Sequence, residues 1–198
     1  MKKSIGPRAV IQPNPVLIVG SYDQNGRANI MAVAWGGICC STPPCAAISL
    51  REATYTYGNI RHTKAFTINI PSTSFVKEVD YAGIYSGKNE DKFKALGLTP
   101  VKSKIVNAPY VKEFPVVLEC AVLKIVEIGL HTQFIGEIKD IKADEGILTA
   151  NGLPDITKVK PFIYDAAGPG YFALGEFLGK SYSVGRKKRQ DKIATIDS

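Results

Sequence analysis

The sequence has no apolar run near the roughly 18 residues that a membrane-crossing helix needs. It has no Cys-x-x-Cys, and its two histidines, His62 and His131, stand far apart. That argues against a zinc site and sets the metal expectation at none. There is no Walker A loop and no Gly-x-Ser-x-Gly elbow, so neither nucleotide hydrolysis nor serine hydrolysis is indicated. The start, Met-Lys-Lys-Ser-Ile-Gly-Pro-Arg, is basic but lacks the apolar stretch of a secretory signal. A cytoplasmic location is the expectation. No internal repeat or low-complexity linker divides the chain, and 198 residues suffice for one domain, 1–198, with a full core.

The net charge of +7 invites a nucleic-acid reading, but its distribution argues otherwise. Residues 180–198 hold six basic and two acidic side chains, leaving only +3 for the other 179 residues. The excess sits in a tail, Gly185-Arg-Lys-Lys-Arg189, with no interleaved aromatics. A solvated tail is the simple reading, contact with phosphate or an acidic surface the sharper one. Nucleic-acid binding and membrane attachment are both disfavoured.

The most unusual stretch runs from Asn29 to Arg51, with the only tryptophan, Trp35, the pair Gly36-Gly37, and Cys39, Cys40 and Cys45. It reads as strand, polar connection and strand. The cysteines are expected to be free and buried. Before this stretch, 16–22 is a strand candidate, closed by Asp23-Gln24-Asn25-Gly26, and Asn-Gly is a strong hairpin signal. The next strand spans about 27–36, Pro43-Pro44 ends the connection, and 45–51 is a third strand. A short helix is expected over 54–63, a strand over 65–70, and a helix over 72–85 with Phe75, Val79 and Ala82 on one face. Asn89 reads as the N-cap of a further helix ending at Gly97. Long strands follow at 116–128 and 131–141, with Gly129 at the bend, and the last quarter looks irregular. Strands, short helices and long strands without βαβ alternation indicate a mainly β, α+β fold on an antiparallel sheet or barrel. Gly168-Pro-Gly170-Tyr-Phe-Ala173 matches a dinucleotide fingerprint, but only 25 residues follow. A loop is the better reading.

Several phrases occur together in order: Asn29-x-Met31-Ala32-x-Ala34-Trp35, Ser41-x-x-Pro44, Ser49-Leu50-Arg51, Thr56-x-x-Asn59-Ile60 and Phe66-x-Ile68-Asn69. Ser86-Gly87, Asp91-Lys92-Phe93 and His131-x-x-Phe134-Ile135-Gly136-Glu137 follow. In this the chain resembles the flavin reductase-like family of FMN-binding split barrels, and within it the flavoredoxins. The resemblance implies a split β-barrel with short flanking helices, bound FMN, oxidoreductase or electron-transfer activity, and a homodimer. The donor would be a redox protein, or NADH or NADPH.

Flavin chemistry agrees with these residue types. A phosphate calls for cations, hydroxyls and backbone N–H groups, and the ring for a flat apolar slot with polar groups at its edge. Arg51 is a fork for phosphate or a surface charge at a strand end, with Thr54 and Thr56 following at a helix start. Lys92 is a solvated helix residue or, by resemblance, a flavin contact. Trp35 is core or, by resemblance, lies beside the ring, and Asn29 is a turn residue or a polar contact to it. Met31, Ala32, Ala34 and Leu50 join the set through their phrases, as does Ser86. Asn59, Ser41 and Ser49 are as easily structural. The resemblance puts His131 on the donor or substrate side of the flavin. It puts Tyr164 over the ring, where phenylalanine is expected, so the hydroxyl is a departure.

Overall fold

The computed structural model describes residues 1–186, and the Lys187–Arg189 part of the basic tail lies outside the described residues. Among the described residues twelve strands and four α-helices follow in chain order. β1 is Asn14–Pro15, β2 Leu17–Tyr22, β3 Ala28–Val33, β4 Gly36–Ser41 and β5 Pro44–Arg51. Then come α1 (Tyr55–Thr63), β6 (Ala65–Ile70), α2 (Val76–Ile84), α3 (Lys92–Leu96), β7 (Pro100–Lys102) and β8 (Pro109–Val111). The long strands β9 (Val116–Ile128) and β10 (His131–Ala143) precede α4 (Ile156–Val159), β11 (Phe162–Asp165) and β12 (Gly170–Ala173).

The main sheet has seven strands in the order β3-β2-β6-β9-β10-β5-β4, and every pair is antiparallel. Its two edge strands, β3 and β4, are consecutive in the chain. Only Ala34 and Trp35 separate them, so the sheet curls until its edges nearly meet. A backbone bond from Ser49 N–H to the Trp35 carbonyl, 2.9 Å, stitches the curl on the β5 side. The result is a split barrel.

Alternation along the strands sorts the apolar residues. Leu17, Val19, Val33, Ile48, Leu50, Phe66, Ile68, Cys120 and Phe134 form one interior cluster drawn from β2, β3, β5, β6, β9 and β10. Their neighbours Ile18 and Ile30 face outwards, where α2 (Val79, Ala82), α3 (Phe93) and Phe162 of β11 cover them. Asn69 fastens β6 to its surroundings. Its amide donates to the Ile18 carbonyl and the Thr67 hydroxyl, and its oxygen accepts from Val111 N–H, each at 2.9 Å.

The strands and hairpin expected at 16–22 and about 27–36, and the strands at 45–51, 65–70, 116–128 and 131–141, are present within a few residues. Four readings need correction. The connection after Trp35 is itself a strand, β4, which two glycines and polar residues disguise. The N-cap of α3 is Asp91, whose carboxylate accepts from Lys94 N–H at 3.2 Å, and not Asn89. The last quarter is more regular than expected, with β11 and β12 forming a hairpin on β1, and the Gly168–Gly170 motif lies at its turn. Cys39 and Cys40 are exposed, and only Cys45 and Cys120 are buried.

Gly136 of β10 is a point of close approach. A β-carbon there would lie 2.6 Å from the Phe66 ring and 2.9 Å from Cys120 Cβ. Gly136→Ala is therefore expected to destabilise the fold by about 1–3 kcal/mol. Gly37→Ala, at a position with nothing within 4 Å, is expected to stay within about 0.5 kcal/mol of wild type. Urea unfolding of the two variants side by side measures the difference. Equal midpoints would contradict the packing described.

Candidate functional site

The split between β3 and β5 gathers much of the polar chemistry that the sequence singles out. Arg51 ends β5 directly opposite His131 of β10. The His131 ring lies against Trp35, with centroids 4.6 Å apart and planes tilted by 44°. Trp35 is 41% exposed, unusual for a large aromatic whose backbone holds the barrel together. Arg51 is exposed and has no ion pair among the described residues. Ser49 lies on the same face as Arg51, opposite Gln133.

Immediately after Arg51 the chain turns into α1. Thr54 is at the N-cap but does not cap it, since its hydroxyl donates to the Arg51 carbonyl at 2.8 Å. No acidic residue stands in the first turn. The N–H groups of Thr54 and Tyr57 already bond the Arg51 and Thr54 carbonyls, but a helix start without a side-chain cap, with a positive dipole end and a neighbouring guanidinium, is suited to holding an anion. Thr54, Asn59 and Ser86 line a cavity of about 430 Å³ here, with Tyr55, Gly58, His62 and Lys88.

Behind this surface is a layer of buried polar groups. Asn29, 3% exposed, donates to the Thr56 hydroxyl at 2.9 Å. Its oxygen, Oδ1, is buried without a partner. Gly87 presses on that oxygen so closely that a β-carbon would stand 1.8 Å away. Asn59 donates to Ser21 at 3.2 Å. Asp23 anchors the loop below, accepting from Tyr55 OH at 2.7 Å and from Arg27 N–H at 2.8 Å. Arg27 in turn donates to the Gly87 carbonyl at 2.6 Å. Burial pushes the Asp23 carboxyl up, but the Tyr55 and backbone hydrogen bonds outweigh it and leave the group lowered.

Lys92 is neither a solvated helix residue nor an exposed cation. It is 4% exposed, and its ammonium donates to the carbonyls of Ile30 and Ala82 at 2.9 and 2.7 Å. Two neutral acceptors compensate poorly for lost water, so burial pulls its pKa down to about 8.

Other expected site residues lie elsewhere. Met31 packs on the barrel interior, and Leu50 is a core side chain at 1% exposure, able to offer a ligand only its backbone. Ala32, Ala34 and Tyr164 line a separate cavity of about 510 Å³ on the outer side of β3, with Asp80, Gly83 and Tyr171. Tyr171 closes it, donating to Asp80 at 3.0 Å. Trp35 borders a third cavity of about 450 Å³ with Ala34 and the segment Arg8–Ile11. Ser41 sits at the tip of the β4–β5 hairpin, roughly 23 Å along β5 from Arg51 by strand geometry, so one chain does not bring them together. Sequence reasoning missed Tyr171, Asp80 and the Asp23–Arg27–Tyr55 cluster. Only the Asp23 turn had a readable signal.

The curled antiparallel sheet, with an aromatic, a histidine and an arginine at its split, places the fold among the split barrels. The chain belongs to the flavin reductase-like family: the pattern described as "Flavin reductase like domain" matches residues 11–165. Among solved structures it is similar to the flavoredoxin of Desulfovibrio vulgaris (Miyazaki F), at 56% identity over 94% of this chain and 100% of that one, TM-score 0.89. It is also similar to a flavoredoxin from Methanosarcina acetivorans, at 29% identity over 94% and 98% of the two chains, TM-score 0.88. An uncharacterised protein of Archaeoglobus fulgidus is 35% identical over 66% of this chain and 72% of its own length.

Lys92 generates a prediction. The folded chain releases this proton near pH 8, the unfolded chain near 10.5. Across that window the unfolded state holds more protons, so the group's contribution to stability rises with pH. Wild type is expected to gain up to about 3 kcal/mol on Lys92→Met between those limits. Urea titrations of both proteins at stepped pH measure it, and parallel pH curves would refute it.

Proposed function

We propose that this chain holds FMN as a resident redox group and passes electrons between protein partners, in the manner of a flavoredoxin. The observation that carries the reading is the junction of Arg51, the uncapped start of α1, and the Trp35–His131 pair at one split. Arg51, N–H groups at the start of α1 and the Ser86 hydroxyl are the kind of donors a phosphate needs. Trp35 offers a flat apolar face, with His131 beside it on the side open to a donor or substrate. Asn29 Oδ1 stays behind this surface, buried without a partner under Gly87. Thr56 and Asn59 hold that layer in place, and Lys92 puts a cation behind β3. FMN, when bound, supplies the electron-accepting chemistry, and the protein supplies position and electrostatics.

A second reading is an NADH- or NADPH-fed reductase that delivers reduced flavin to a partner. The cavities beside Trp35 and Tyr164 favour it to the extent that a nicotinamide needs room near the ring. A homodimer belongs to both readings. It is supported by exposed Ile38, Leu123 and Ile128 on β4 and β9, and sedimentation velocity measures it. The location expected is the cytoplasm.

Two results bear on the proposal. Arg51→Ala is expected to weaken FMN binding about 10–100-fold while leaving riboflavin, which has no phosphate, nearly unchanged. Flavin fluorescence quenching reads both ligands, and equal losses would remove the phosphate role. In anaerobic mixing, NADH and NADPH are expected to bleach the bound flavin only slowly. Rapid bleaching would favour the reductase, and a protein that takes up no FMN would end both readings.

A further inference from the structure

The tip of the β4–β5 hairpin carries thiols that the flavin reading leaves unused. Cys40 lies directly opposite Cys45 in register, one step from the Ser41↔Pro44 pair that closes the hairpin. Directly opposed residues of an antiparallel pair have Cα atoms about 4.5 or 5.5 Å apart, and a disulfide spans about 4.4–6.8 Å. Either kind of pair therefore fits. Their environments differ: Cys40 is exposed, with its Sγ donating to the Thr42 carbonyl at 3.4 Å, whereas Cys45 is 2% exposed. The ladder slips between Ile38 and Cys40, leaving Cys39 as the extra residue with no partner across the strand. Among the described residues no group of three or more His, Cys, Asp or Glu is placed to hold a metal.

We propose that Cys40 and Cys45 form a reversible dithiol–disulfide site, a second two-electron redox centre on this chain, which exchanges with low-molecular-weight disulfides. The thiolate of Cys40 attacks one sulfur of a disulfide RSSR. That S–S bond breaks, RS⁻ leaves and takes up the Cys40 proton, and a mixed disulfide remains on Cys40. Cys45 then gives up its proton, its sulfur attacks the Cys40 sulfur, and the second R group leaves as RSH. Two protein thiols are oxidised to one disulfide, and RSSR is reduced to two RSH. Small thiols run the same steps in reverse. The exposed sulfur is the one a soluble disulfide can reach, and the buried one resolves the adduct. Burial also pushes the Cys45 thiol up, which keeps it protonated in the reduced protein.

The experiment uses the full-length protein, reduced and freed of reductant, then incubated with oxidised glutathione, alkylated and digested with trypsin. One peptide, 28–51, carries Cys39, Cys40 and Cys45. It is expected to lose two hydrogens and to alkylate once, and dithiothreitol is expected to restore three alkylations. Cys39→Ser should keep the loss, and Cys40→Ser, at an exposed position, should abolish it. Cys45→Ser should trap glutathione on Cys40. Three alkylations in the treated wild type, a lasting glutathione adduct on it, or a disulfide that survives Cys40→Ser would each overturn the proposal.

Discussion

Everything at the site depends on how the sheet closes. Its edge strands are neighbours in sequence, so two residues, Ala34 and Trp35, must carry the chain from one edge to the other. The bond from Ser49 N–H to the Trp35 carbonyl holds that crossing in place. A closed barrel would have used Trp35 as filling. Because the barrel stays split, the indole is half outside, tilted on His131 and one strand from Arg51. The same crossing makes the interior one cluster drawn from strands at both ends of the sheet.

The second support is polar. Among the described residues, the cations Arg27 and Lys92 near the split are tied to backbone. Arg27 holds the Gly87 carbonyl, and Lys92 ties β3 to the end of α2 through Ile30 and Ala82. These bonds are worth more by preventing unpaired carbonyls than by their net gain. They bring loop 86–87 against Asn29, where only glycine leaves room for the amide. The ligand-facing groups thus rest on a layer whose own hydrogen bonds nearly all close internally, and Asn29 Oδ1 is an exception.

How much of this was legible follows from period and punctuation. β9 and β10 were readable because β-branched residues alternate between Gly129 and clear ends. The β2–β3 hairpin was readable because Asn25-Gly26 permits the turn, and Gly26 indeed has φ of +78°. β4 was not, since its residues, Gly-Gly-Ile-Cys-Cys-Ser, show neither alternation nor burial and pair only because β5 is beside them. The Arg51–Thr54–Thr56 grouping was readable because four or five residues of turn keep local order. Ser41 was grouped with Arg51 through its phrase, although the strand read over 45–51 already sets the two a strand length apart. The burial of Lys92 was hidden for a different reason. Whether an ammonium at a helix start reaches solvent or two carbonyls depends on elements about 10 and 62 residues away.

The site's composition also bears on what kind of redox protein this is. Acid–base catalysis needs a titrating group beside the reacting atom, backed by a second group that sets its proton. Near the split the titratable groups include His131, Arg51 and Glu52, and the nearest buried carboxylate in the network, Asp23, is lowered and held by Tyr55 and Arg27. What the split offers is an exposed aromatic, a cation and dipoles fixed in place, and such a set positions a redox group without requiring a proton to move with each electron. Electron transfer asks only that the group be near the surface and that its surroundings not reorganise. Under the proposed electron-carrier role, a half-exposed Trp35 on a backbone stitched between two strands would meet both conditions.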